Sequence, residues 1–124
     1  MKHATNIARY LLALMLLVFG LNKFLKFMPM PELPEQAQAY MAGLGATGIL
    51  FPLLGIIYIV TAAALILNRY AALMLLVLTP VTVNILLFHA TLAPGGIVPG
   101  LILAVLNVLA LLHYKSKYMP LLKG

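Results

Sequence analysis

LTPVTVNILLFHATLAP, residues 78–94, is apolar enough to lie in hydrocarbon, yet it carries Thr79, Pro80, Thr82, Asn84, His89 and Thr91. Polar side chains at bilayer depth are costly unless each finds an internal partner or a wet cavity. A segment that only had to span could be leucine throughout. Extended at its N-terminal side, the stretch becomes a helix of residues 71–92, which is long enough to cross an apolar layer of about 30 Å. It is both a membrane span and the segment where a functional site is to be sought.

The rest of the chain agrees with that reading. Of its 124 residues, 65% are apolar and only 8% charged, where a soluble domain would carry about 25% charged residues. The mean hydropathy is +1.11, and long runs lack any charge. Cysteine is absent, which excludes disulfides, thiolate catalysis and Cys-ligated zinc or iron–sulfur sites. The only carboxylates are Glu32 and Glu35. No carboxylate therefore falls inside a span, and carboxylate-relayed proton pumping and paired-carboxylate chemistry within the bilayer are excluded. The net charge of +6 forms no patch of the kind that binds nucleic acid, because the basic residues flank apolar runs.

Outward from residues 78–94, three further spans are expected. The first, residues 7–28, begins like a signal peptide with Lys2 and Arg9 before the apolar run 10–21, but no small-x-small cleavage site follows. To reach about 20 residues it either takes in residues 7–9 or continues through Asn22 and Lys23 to about Phe27. Lys26 snorkels to the headgroups, and Lys23 either does the same or lies within the outer part of the membrane. In the loop 28–47, Pro29, Pro31 and Pro34 stop the first helix. A short surface helix over 34–42, ended by Gly43, should rest Tyr40 and Met41 on the bilayer or over the bundle mouth. The second span, 49–67, carries Gly48, Gly55 and Ala62 as a small-residue stripe, with Tyr58 and Thr61 on another face. In the third, Pro80 should kink the helix. Pro94, Gly95 and Gly96 make a turn, and the fourth span, 98–112, sets Gly100, Ala104, Asn107 and Leu111 on one face before a basic tail.

Four spans leave both termini on one side. Lys2, Arg9, Arg69, Lys115, Lys117 and Lys123 fall there, against Lys23 and Lys26 on the other. This asymmetry places both termini in the cytoplasm. ALMLLV recurs at 13–18 and 72–77, each time after an Arg-Tyr pair, as a parallel repeat of two hairpins would require.

The topology decides which polar residues can meet. His89 lies near the outer surface, with Asn84 about 7–8 Å deeper, and Asn22 and Lys23 belong to the same outer end. These four form the candidate binding set. His3 and His113 belong to the inner surface, so neither a bis-histidine haem with His89 nor a metal cluster is expected. Each candidate also has a plainer reading. His89 can be an interfacial imidazole, Asn84 an interhelical hydrogen bond or a repair of the Pro80 kink, Asn107 structural glue, and Tyr58 a core residue with a satisfied hydroxyl. Asn84 and His89 stand roughly 140° apart on an ideal helix. One site using both needs the kink or a third element.

On the motifs GLNKFLKFMPMPELPE, GATGILFPLLG and PVTVNILLFHATLAPGG, together covering about residues 19–96, the chain resembles the DoxX family of small four-helix membrane proteins. Pro80, Asn84, Phe88 and His89 have the order and spacing that family shows. Relatives often place a glutamate in the middle of the second helix, where this chain has Tyr58, so any chemistry of that glutamate does not carry over. The resemblance implies an all-α polytopic four-helix bundle of the bacterial cytoplasmic membrane. It also implies association with membrane redox complexes, with a quinone as the cofactor such a system uses and a larger oxidoreductase subunit as partner. Homo-oligomerisation through the small-residue stripes is a second use of those faces. The expected role is an accessory subunit rather than an independent enzyme, the alternative being a small transporter or lipid-handling protein.

Overall fold

A computed structural model describes residues 2–27 and 33–123. Among them the chain is helical. The segments α1 (Lys2–Leu25), α3 (Leu50–Leu67), α4 (Ala71–Thr91) and α5 (Ile97–His113) are joined by short turns. A helix α2 (Glu35–Ala46) lies between α1 and α3, and a helix α6 (Lys115–Leu122) closes the chain. Lys2–Leu25, Leu50–Leu67, Ala71–Thr91 and Pro94–His113, the last including a 3-10 turn at Pro94–Gly96, are long and apolar enough to cross a membrane.

Several boundaries differ from the expected ones for local reasons. The first helix starts at Lys2, since nothing before residue 7 breaks it, and stops at Leu25 because Lys26 turns left-handed (φ 51°). Pro29, Pro31 and Glu32 lie outside the described residues. Helix α2 runs past Gly43, where a Cβ would meet no neighbour, and ends only at Thr47, before Gly48 takes a positive φ of 74°. The Thr47 hydroxyl donates to Leu44 C=O (2.8 Å) and accepts from the Leu50 N–H (3.1 Å). One side chain thus closes α2 and opens α3. Gly48 belongs to this turn and not to the packing stripe of α3. Helix α4 continues through Pro80, and the basic tail forms α6 with Pro120 inside it.

The four long helices make a ring in the order α1, α3, α4, α5, each packing on its two neighbours. Antiparallel neighbours follow from who meets whom. Gly20 of α1 faces Tyr58 and Ile59 of α3, whereas Arg9 reaches Leu65. His89 of α4 faces Gly96 and Gly100, whereas Thr82 reaches Asn107. Helices α1 and α4 are therefore parallel. Leu12, Leu16, Leu65, Leu75 and Leu78 fill the centre, while Leu14, Leu73, Leu87 and Leu101 project outward as an apolar exterior. The closest approach is between α1 and α3. A Cβ on Gly20 would stand 2.9 Å from Ile59 Cγ1 and 3.0 Å from Tyr58 Cβ, and one on Gly55 would stand 3.0 Å from Lys23 Cβ. These glycines let two backbones touch.

The end carrying the chain termini is fastened by polar side chains. Arg9, 6% exposed, donates to Leu65 C=O and, through Nε, to Asn6 Oδ1 (3.1 Å), with its guanidinium over the Tyr10 ring. Leu65 C=O is among the last carbonyls of α3, which have no partner within the helix. Thr5 bonds His113 Nδ1 (3.0 Å), Tyr114 donates to Asn68 Oδ1 (2.6 Å) and Tyr118 donates to Ala72 C=O (2.7 Å). Burial raises the Tyr114 phenol above its ordinary range against the pull of Arg9. Burial and the neighbouring Tyr114 push Tyr118 up to about 12.

Midway, Thr82 donates to Asn107 Oδ1 (2.9 Å), and Asn107 Nδ2 donates to Thr79 Oγ1 (3.1 Å). Thr79 in turn donates to Leu75 C=O (2.6 Å). Asn107, 2% exposed, ties α5 to α4 beside Pro80, which is the structural role the sequence suggested for it.

Candidate functional site

The opposite end of the bundle holds a partly open cavity of about 440 Å³ to which all five of the helices α1–α5 contribute, a volume within the range of small-molecule sites. Met15, Leu16, Phe19, Leu54 and Leu103 make its apolar walls, and Lys23, Tyr40, Tyr58, Asn84 and His89 bring polar atoms to it. Of the four residues singled out in the sequence, Lys23, Asn84 and His89 thus line one cavity. Asn22 does not line it. It is half-buried at the end of α1.

Helix α2 resolves the angular separation of Asn84 from His89. Asn84 Nδ2 donates to the Tyr40 hydroxyl (3.2 Å), Tyr40 stacks on Phe88 (centroids 5.2 Å apart), and Phe88 meets the His89 ring edge-on (5.1 Å). Helix α2 therefore supplies Tyr40, Met41 and Leu44 to the cavity wall at this end of the bundle.

His89 is oriented from the far side. Its Nδ1 lies 3.2 Å from Ala93 C=O. A carbonyl only accepts, so Nδ1 carries a proton, and in the Nδ1–H tautomer Nε2 is the acceptor. The imidazole rests where Gly96 has no side chain: a Cβ there would stand 2.9 Å from His89 Cε1. Gly96 is needed for space, not for its dihedral angles.

On the α1/α3 wall the polar groups are less satisfied. Tyr58 is a core residue, 5% exposed, but the satisfied hydroxyl expected for it is absent, because among the described residues it makes no hydrogen bond. The Lys23 ammonium lies over the Phe51 ring (5.6 Å to the centroid) and the Tyr58 ring (6.0 Å). Among the described residues no carboxylate pairs with it. The cavity therefore presents a cation and a phenol on one wall, and an imidazole nitrogen and an amide on the other. Acceptors of a ligand fit the first wall and donors the second. Among the described residues no group of three or more His, Cys, Asp or Glu could hold a metal ion.

Thr61, three residues further along α3, is fully buried, and its Oγ1 is the one buried side-chain polar atom without a hydrogen bond among the described residues. The sequence pointed to Tyr58 and Thr61 as sharing a face and offered the bundle mouth as one position for Tyr40 and Met41, but nothing in it paired Tyr40 with Asn84. No protein-family model, curated protein or solved structure matches the chain.

Proposed function

We propose that the protein is an integral membrane protein of the DoxX type that holds a lipophilic molecule of the quinone class in the cavity between α1 and α5, as the accessory subunit of a membrane redox system. The observation that carries this reading is the cavity itself. Apolar walls meet hydrogen-bonding groups from α1, α2, α3 and α4 at one end of the bundle, as a flat apolar ring with polar oxygens requires. The DoxX resemblance rests on the motifs around Pro80, Asn84, Phe88 and His89.

In this reading the four long helices cross the bacterial cytoplasmic membrane. The end bearing Arg9, Arg69 and the lysines of α6 faces the cytoplasm, α2 lies on the outer side, and the quinone enters from the outer leaflet. No group of the cavity is a nucleophile–base pair, so the protein positions the ligand for a larger partner subunit that carries the electrons.

The test is binding of a short-chain quinone to protein in nanodiscs, by calorimetry, with Asn84→Leu and His89→Leu variants. Both should insert normally and lose the quinone. Retained binding in both variants would remove the site. Native mass spectrometry of protein gently extracted from its own membrane should co-release a quinone or an oxidoreductase subunit. Solute uptake by liposomes holding the protein alone would favour transport or lipid handling instead.

A further inference from the structure

The two walls of the cavity are unequally provided for. Asn84 donates to Tyr40, and His89 is held by Ala93. Lys23 and Tyr58 have neither hydrogen bond nor ion pair among the described residues. Tyr58 is buried among Gly20, Ile59 and the core leucines, but it also lines the cavity, so its unpartnered O–H is available to a ligand there. The Lys23 ammonium is served only by the faces of Phe51 and Tyr58. Of the chain's two carboxylates, Glu35 is exposed at the first turn of α2 and Glu32 lies outside the described residues. A cation beside an apolar cavity, without a counter-ion among the described residues, sets up a positive potential that low-dielectric walls focus rather than screen.

We infer that Lys23 and Tyr58 form a seat for an anionic oxygen carried on an apolar body, and that this seat selects the ionised ligand over its neutral analogue. The inference rests on the cavity holding a lipophile, as proposed above, and adds which form it holds. Lys23 supplies the charge and Tyr58 the directed O–H. The body packs against Met15, Leu16, Phe19, Leu54 and Leu103. Two sources have this chemistry: the enolate or phenolate oxygen of a hydroxylated or reduced quinone, and the carboxylate of a fatty acid.

The experiment uses the full chain in nanodiscs of zwitterionic lipid, so that membrane surface charge does not bias the result. Three probes are titrated: an alkylated 2-hydroxy-1,4-naphthoquinone, ionised at neutral pH; its neutral 2-methoxy ether; and dodecanoate. The anionic naphthoquinone should bind at least about tenfold more tightly than the ether. Lys23→Met should abolish the preference and Lys23→Arg should restore most of it. Tyr58→Phe should weaken the anion more than the ether, and each variant should retain the wild-type elution volume. Lys23-dependent binding of dodecanoate alone would uphold the seat and identify its ligand as a lipid acid, displacing the quinone reading. Equal affinity for anion and ether, or a preference unchanged in Lys23→Met, would overturn the inference while leaving the quinone cavity intact. Binding of none of the probes would overturn both.

Discussion

Gly20→Ala tests whether the cavity wall depends on the touching backbones of α1 and α3. A Cβ at residue 20 would lie 2.9 Å from Ile59 Cγ1, 3.0 Å from Tyr58 Cβ and 3.2 Å from Gly55 O. Two of these atoms cannot yield by rotating a side chain, because Tyr58 Cβ and Gly55 O move only with the backbone of α3. Restoring ordinary contact means parting the helices by about half an ångström, which forfeits roughly a quarter of the dispersion well of each atom pair along the seam. Overpacking of this kind costs about 1–3 kcal/mol. Replacing glycine within a helix returns about 0.5–1 kcal/mol, so the net loss should be centred near roughly 1 kcal/mol and reach about 2.5 kcal/mol at most. Gly43→Ala is the matched control. Residue 43 is also helical, but nothing lies within 4 Å of its Cβ position, so only the propensity gain of about 0.5–1 kcal/mol remains. Reversible unfolding in mixed micelles, followed by circular dichroism, should shift the two variants in opposite directions. A Gly20→Ala protein as stable as wild type would refute the close-seam argument.

Other perturbations separate the remaining contacts. Asn107→Leu removes the bridge to Thr79 and Thr82 and should cost about 0.6–2 kcal/mol, read in the same micelle assay, with no change in quinone affinity. Arg9→Met strips the last turn of α3 of its buried donor to Leu65 C=O and should cost about 1–3 kcal/mol; an unaffected melting temperature would show that carbonyl to be satisfied elsewhere. The Tyr118 phenol, raised to about 12 from 10.0, is favoured in its neutral form by folding. Its contribution to stability is fully present below the unfolded value and is lost as pH rises through the folded one. Tyr118→Phe should therefore differ from wild type by a constant loss of stability below about pH 10, where the hydrogen bond to Ala72 C=O is intact in wild type, and the difference should shrink as pH rises above it.

Hydropathy made the four long helices legible to within a few residues, because a span must be apolar over a length the bilayer dictates. Misreadings arose where a single residue type serves two purposes. Gly43 looked like a helix stop, but a glycine ends a helix only where the chain needs a positive φ, and that need falls at Gly48. Charge counting places Arg9 with the other cations of one side; its burial follows from the open carbonyls at the end of α3, a three-dimensional fact. At the site, polarity within an apolar segment pointed to Asn84 and His89, and topology put Lys23 near them. The connection between Asn84 and His89 runs through Tyr40, on a helix with no periodicity strong enough to reveal its partner. The open hydroxyl of Tyr58 was illegible for the same reason, since a phenol in a span is ordinarily satisfied.

The polar fastenings are unevenly distributed along the bundle axis. At the terminal end, Arg9, His113, Tyr114 and Tyr118 tie α1 to α3, α1 to α5, and the C-terminal segment to the α3–α4 turn and to α4. Around the cavity, Asn84–Tyr40 is the one side-chain hydrogen bond between separate helices among the described residues. A body held in this way behaves like a tuning fork, with its stem clamped and its prongs free, so that displacement grows with distance from the clamp. Guests can enter between the prongs by a small splaying that leaves the helix order and the central Thr–Asn bridge undisturbed. Amide exchange should then be fastest along α2 and the cavity-end turns and slowest near Arg9, with a bound guest slowing the former and leaving the latter unchanged.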